Sequence, residues 1–131
     1  MNWLILPLVL LSADYGDIQA RVVRVHDGDS ITVSIDGYPP IIREVEVRVN
    51  GIDTPEIHDK RPEIRKLAER ARAFTADIAK PGTVVWLRHM ARDKYFRINA
   101  TVERDGRSLA AELLKAKLAR PYDGKAGPKP W

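Results

Sequence analysis

The sequence predicts a small α+β domain rich in strand. Three observations carry that expectation: short runs in which apolar and polar residues alternate, one long stretch with apolar residues every three or four positions, and turn signals between them. Arg21–Val25 and Ile31–Ile35 are β-prone runs separated by His26-Asp27-Gly28-Asp29-Ser30. Asp-Gly between two such runs marks a hairpin, because glycine tolerates positive φ without steric cost. Ile31, Val33 and Ile35 alternate with Thr32 and Ser34, so the second strand buries one face. Asp36-Gly37 and Pro39-Pro40 make a longer turn, and Val45, Val47 and Val49 alternate with Glu46 and Arg48 in a third strand. Asn50-Gly51 ends it, and Thr54-Pro55 opens a loop.

Pro62 suits the first turn of a helix. Ile64, Leu67, Ala68, Ala71, Phe74 and Ile78 then recur at helical spacing, with Arg and Glu opposite, until Pro81-Gly82 stops the pattern. Val84–Leu87 reads as a fourth strand, Tyr95–Val102 as a fifth before the Asp105-Gly106 turn, and Leu109–Leu118 as a short amphipathic helix. Three strands, a helix, two strands and a helix is one order compatible with a five-stranded barrel of the OB type. Other α+β arrangements fit the same pattern.

At 131 residues the chain has the length of a single domain of about 100–150 residues. Apolar residues make up 44%, enough for one core. With 22 Lys and Arg against 18 Asp and Glu, the net charge is +4 and the pI near 9.5, which favours a polyanionic partner. There are no cysteines, so disulfides, thiolate metal sites and cysteine nucleophiles are excluded.

Trp3–Leu11 is continuously apolar and is followed by Ser12 and Ala13. It is shorter than the ~20 residues of a spanning helix and fits the h-region of a secretory signal, with Leu11 and Ala13 at the −3 and −1 positions. An N-terminal strand or helix tucked against the core is the competing reading. The expected organisation is thus an export segment within residues 1–20, a domain over 21–122, and an irregular Gly/Pro/Lys-rich tail over 123–131.

Asp29 shares parity with Ile31, Val33 and Ile35 and should face the core side at the strand's mouth. An unpaired carboxylate there is costly, and a cation is one way to satisfy it. Asp53 and Glu56 flank Thr54-Pro55. Three carboxylates and a backbone carbonyl make a hard oxygen site suited to Ca²⁺ or Mg²⁺. Read alone, Asp-Gly-Asp is equally a turn and Asp-Thr-Pro-Glu equally a capping sequence. Arg48 lies opposite the three valines of its strand, and Arg97 closes the polar run Arg92-Asp93-Lys94-Tyr95-Phe96-Arg97. Two guanidiniums beside a metal could grip a phosphodiester and stabilise charge on its oxygens. His26, His58 and His89 have no spacing that suggests a metal site or a triad, and read as turn or surface residues.

Taken together, Asp27-Gly28-Asp29-Ser30, Arg48-Val49-Asn50-Gly51-Ile52-Asp53-Thr54-Pro55-Glu56 and Asp93-Lys94-Tyr95-Phe96-Arg97 closely resemble the staphylococcal nuclease (thermonuclease) family pattern. The resemblance runs from about Arg21 to Tyr122. It implies an OB-fold barrel with two main helices and a Ca²⁺-dependent nuclease that cuts DNA and RNA and leaves 3′-phosphate ends; nothing in the sequence requires more than a monomer. It also implies roles: Asp29, Asp53 and the Thr54 carbonyl as Ca²⁺ ligands, Glu56 as the residue that orients or deprotonates the attacking water, and Arg48 and Arg97 on the scissile phosphate. Lys94 and Tyr95 would contact the terminal phosphate of the nucleotide, and Tyr122 falls near a base-stacking tyrosine position.

The sequence also departs from that pattern. The stretch 37–47 is longer than in the family's best-known member, through Gly37-Tyr38-Pro39-Pro40. Phe96 stands where glycine is common, so that it either presses on the substrate pocket or packs over the barrel. The tail is too short for a final helix, which leaves Pro121 and Trp131 as candidates to cover the core. The competing function is a catalytically inactive OB-fold module that binds nucleic acid without cutting it. Retention of all the acidic and basic positions above, together with an aromatic fraction of only 7%, favours the enzyme.

Overall fold

The computed structural model describes residues 16–125 and 131. The apolar run Trp3–Leu11, read as an export signal, and residues 126–130 of the tail lie outside the described residues. The elements in chain order are β1 (Ile18–Asp27), β2 (Ser30–Ser34), α1 (Pro40–Arg43), β3 (Glu44–Val49), β4 (Ile52–Asp53), α2 (Pro62–Ile78), β5 (Val84–Arg92), β6 (Ile98–Arg104), β7 (Arg107–Ser108), α3 (Leu109–Lys115) and β8 (Arg120–Pro121).

β1, β2 and β3 form an antiparallel meander, and β1 also pairs with β5, which pairs with β6. A parallel pairing of β3 with β6 closes the sheet into a five-stranded barrel, with Val47, Arg48 and Val49 opposite Ile98, Asn99 and Ala100. Closure removes the sheet edges that an open β-sheet would expose. The result is the β-rich OB-type barrel that the sequence pattern allowed and the family resemblance implied, with the two expected helices α2 and α3 and, in addition, the single-turn α1.

The alternation seen in the sequence builds the interior. Val22, Ile31, Val33, Val47, Val49, Val85, Leu87 and Val102 are all nearly inaccessible, while Arg48, between two buried valines, turns the other way. Helix α2 starts at Pro62 and presents Ala68, Ala71, Thr75 and Ile78 to the barrel. Small side chains on that face let the helix backbone come close. α3 is capped by the Ser108 side chain, which accepts from the Ala111 N–H, and it buries Leu109 and Leu113. It ends sooner than the Leu-rich pattern implied, since Lys117 turns left-handed (φ 61°) and the Leu118 N–H bonds the Leu113 carbonyl.

Four other boundaries differ from the sequence expectation. β1 begins at Ile18 rather than Arg21, because Ile18, Gln19 and Ala20 pair with Leu87, Trp86 and Val85, and Ala20 is buried. The barrel therefore reaches into the segment assigned to residues 1–20. The Pro39-Pro40 turn contains the single helical turn α1, with Pro40 at its start. β5 continues past Leu87 to Arg92 through an irregularity between Arg88 and Ala91, where His89 is left-handed (φ 53°). β6 starts at Ile98, so Tyr95, Phe96 and Arg97 belong to a turn and not to the strand. Among the described residues no helix is long and apolar enough to cross a membrane.

Candidate active site

The β1–β2 turn is the first wall of the site, and it is held from three sides. The Thr75 hydroxyl on α2 donates to the Gly28 carbonyl (2.6 Å), and the Val49 N–H donates to the Asp29 carbonyl (2.9 Å). The Thr54 N–H donates to Asp29 Oδ2 (3.1 Å). Gly28 allows this convergence: a Cβ there would lie 2.9 Å from Ala71 Cβ and 3.0 Å from Thr54 Cγ2, closer than such atoms approach. Asp27 accepts from the Ile57 N–H (3.3 Å), so consecutive parts of the turn brace the loop that follows β4.

Asp29 and Asp53 are buried on this wall, and the Arg48 guanidinium spans them. Its Nη1 lies 3.0 Å from Asp29 Oδ2 and its Nη2 lies 3.5 Å from Asp53 Oδ1. Both carboxylates lie in a poorly solvated place. Burial accordingly pushes the Asp29 carboxyl above its ordinary value. Arg48 and the Thr54 N–H oppose that shift, and the neighbouring Asp53 and Asp27 add to it.

The second wall is the β5–β6 turn. Asp93 organises it: Oδ1 accepts from the Tyr95 N–H (2.8 Å) and the Arg97 N–H (3.0 Å), and Oδ2 accepts from Arg97 Nε (2.6 Å). Burial opposes ionisation of Asp93. The bonds from Arg97 and from the two backbone N–H groups outweigh it and hold the carboxyl below its ordinary value. Arg97 is thus gripped at Nε, and its Nη groups remain for a bound anion. Lys94 Nζ and the Arg97 guanidinium each lie 5.2 Å from the Tyr95 ring centre. Phe96 adopts φ +59°, a left-handed conformation that costs a side chain about 1–2 kcal/mol. Glycine would adopt it freely, which is the physical reason glycine suits this position.

The third part is a clip from the C-terminal segment. β8 pairs with β4, Pro121 opposite Ile52 and Arg120 opposite Asp53, and the Tyr122 N–H donates to the Gly51 carbonyl (2.9 Å). This brings the Tyr122 ring to 5.9 Å from the Arg48 guanidinium. Pro121 is exposed in this clip and does not cover the core, while Trp131 stacks on Arg120 at 4.4 Å.

The three parts enclose an open cleft of about 1150 Å³ lined by Asp29, Arg48, Asp53, Glu56, Lys94, Tyr95, Arg97 and Tyr122. Residues far apart in the chain, singled out from the residue pattern and from the family resemblance, therefore share one cavity. Thr54 sits behind that surface, with its hydroxyl buried and without a hydrogen-bond partner among the described residues. Glu56 is exposed at the mouth. His26 bonds the Thr32 hydroxyl and His58 and His89 are exposed, so none of the three belongs to the cleft. Glu46, whose carboxylate accepts from the Ser30 hydroxyl (2.9 Å), and Asn99, the β6 partner of Arg48, also line the cleft. Neither had a signal in the sequence beyond its place on a strand face.

Residues 46–129 match the family described as staphylococcal nuclease homologue. This chain belongs to that family. It is also 33% identical over 112 residues to Protein ParB of Escherichia coli, across 86% of this chain and 51% of that protein. The chain thus spans about half the length of that curated relative. Staphylococcal nuclease homologues are nucleases, and membership points to a nuclease or nucleic-acid-binding function. Asp29 lies upstream of the matched span, and it is the fold that delivers it to Arg48 and Asp53.

The donor set fits a hard divalent cation. Among the described residues no three His, Cys, Asp or Glu side chains converge as a ready ligand cluster. Asp29 and Asp53 with the Thr54 carbonyl would supply three oxygens, and water and substrate phosphate would complete the shell, a common arrangement for hard cations at phosphate sites. The buried Asp29 carboxylate and the buried Thr54 hydroxyl are both groups that a cation and its water would satisfy.

Proposed function

We propose that this protein is a Ca²⁺-dependent nuclease that hydrolyses phosphodiester bonds in DNA and RNA and leaves 3′-phosphate ends. The observation that carries the reading is the convergence on one cleft of an arginine-bridged carboxylate pair, a mouth carboxylate and a second, oriented arginine. Asp29, Asp53 and the Thr54 carbonyl would hold Ca²⁺, which supplies Lewis-acid polarisation of the phosphoryl group and its nucleophile.

The remaining chemistry falls to the chain's own groups. Glu56 takes a proton from the attacking water, whose oxygen forms the new bond to phosphorus as the bond to the 5′ oxygen breaks. Arg48 and Arg97 offset the charge that develops on the phosphoryl oxygens, and Arg97 also steadies the departing 5′ oxygen. Lys94 and Tyr95 hold a terminal phosphate, and Tyr122 offers a ring to the base. No oligomer is needed for this set, so the monomer is the proposed active form. Trp3–Leu11 supports export to the periplasm or the outside of the cell. N-terminal sequencing of protein recovered from those fractions should begin after about Ala13, and recovery only inside the cell with Met1 intact would remove that part of the reading.

The decisive experiment incubates the full chain with single-stranded DNA and RNA in Ca²⁺, then in excess chelator. Cutting that the chelator abolishes, with 3′-phosphate ends, is the expected result. Salt-sensitive binding without cutting under any divalent ion would make the inactive binding module correct. Glu56→Gln should lower kcat by about 10²–10⁴-fold with the thermal midpoint unchanged. Unaltered turnover would take Glu56 out of the mechanism.

A further inference from the structure

Tyr95 and Phe96 are consecutive, lie at the lip of the cleft, and are 66% and 69% exposed. Tyr95 lines the cleft, between Lys94 and Arg97. Phe96 does not line it, and an exposure of 69% shows that its ring does not pack over the barrel either. Neither expectation for this residue therefore describes it. Its ring carries the Arg92 guanidinium 5.2 Å from its centre, and most of the remaining surface faces water. An exposed aromatic ring held at φ +59° satisfies no packing need and sits in a conformation that glycine would adopt more easily.

We propose that Phe96, backed by Arg92, is a stacking platform for a nucleobase of single-stranded substrate lying just outside the cleft. The inference rests on the nuclease reading for its choice of ligand. A base has an apolar π-face that stacks on an aromatic ring whatever its identity, and the Arg92 cation both polarises the ring and attracts the strand's phosphates. Within a duplex, both faces of each base are already covered by neighbouring bases. The platform therefore adds affinity for single strands and for unstacked regions, with little preference among bases. It extends the footprint of the enzyme beyond the nucleotide held by Lys94, Tyr95 and Tyr122.

The test compares the full chain with Phe96→Gly, Phe96→Leu and Phe96→Trp. Phe96→Gly suits the left-handed backbone, so loss of fold is not expected, and its thermal midpoint checks this. Binding of a fluorescent oligothymidylate and of a hairpin duplex is measured in chelator at low salt, where no turnover intervenes. Loss of one base stack should weaken single-strand binding by about 5- to 150-fold in Phe96→Gly. Phe96→Leu should lose most of the same affinity, Phe96→Trp should restore it, and duplex binding should stay within about twofold. In Ca²⁺ the same loss should raise KM for the single strand and leave kcat alone. Equal binding of the single strand by the unaltered chain and Phe96→Gly overturns the proposal, as does an equal loss on both substrates. An unaltered chain that cuts nothing but shows the stacking pattern overturns the nuclease reading and leaves the platform standing.

Discussion

On one side of the cleft Asp29 and Asp53 are buried, spanned by Arg48, and positioned through the main-chain and side-chain bonds of the Gly28 and Thr54 segments. On the other side the 93–97 turn projects two exposed rings, contains a left-handed phenylalanine, and owes its shape to one aspartate. The buried wall couples its charged groups to the core, so a change there disturbs folding and chemistry together. On the proposed reading the lip meets substrate at its outer surface, where a side chain can change without repacking the barrel. A single site thus divides into a part under structural constraint and a part open to tuning of substrate choice.

The largest effect that would test this division comes from Arg97→Ala. It should lower kcat by about 10²–10³-fold or more, since it removes charge stabilisation at the transition state, with the thermal midpoint little changed. A loss of tenfold or less would make Arg97 a peripheral contact. On the buried wall, Asp29→Asn should abolish any rise in thermal midpoint that the proposed Ca²⁺ ligation gives the unaltered chain. It should also stabilise the metal-free protein near neutral pH. The sign follows from the raised carboxyl: ionisation of Asp29 opposes folding, an opposition absent below the ordinary value of 3.8 and growing as pH rises toward the folded value. Ca²⁺ affinity of the unaltered chain should increase over that same pH range, because the cation needs the carboxylate.

A smaller effect is expected from Gly28→Ala, which forces a methyl group against Ala71 and Thr54. Overpacking of this kind costs about 1–3 kcal/mol, read as a lower midpoint in urea. Activity should fall with it, since Asp29 is the next residue. Full activity in a destabilised Gly28→Ala protein would separate fold from chemistry on the wall where they are argued to be joined. The smallest effect belongs to Asp93→Asn, which weakens the grip on Arg97 and should cost about tenfold in kcat. In the unaltered chain the Asp93 contribution to stability is present above pH 3.8 and lost as pH falls through its lower folded value.

The buried wall was the more legible of the two in the sequence. The alternation of Val45, Val47 and Val49 put Arg48 on the opposite face, and the parity of Asp29 with Ile31 and Val33 put it at the mouth, as observed. Period-two patterning works where one face of a strand is buried. The lip was read less well. Tyr95 and Phe96 have strong strand propensity, which predicts a strand, but the Asp93 side chain captures the N–H groups of Tyr95 and Arg97 that a strand would have used. Aspartate two residues before the turn's centre is a signal for that outcome, and it was outweighed by propensity. Asp27-Gly28 predicts a hairpin turn through positive φ, yet Gly28 is not left-handed; it is needed for close approach, and that is not legible because the atoms that forbid a Cβ come from α2 and the Thr54 loop.

The parallel seam between β3 and β6 has a consequence for the order in which the protein comes to life. Asp29 and Arg48 lie on the β1–β2–β3 meander, with Asp53 in β4 just after it, and pairings between neighbouring strands close at little entropic cost. Arg97 enters only when the distant β6 docks beside β3, a non-local pairing of the kind that slows folding. A chain still folding would therefore bring Asp29, Arg48 and Asp53 together before Arg97 joins them across the seam. The closing seam acts as a safety catch, completing the cleft and the chemistry proposed for it only once the barrel is whole.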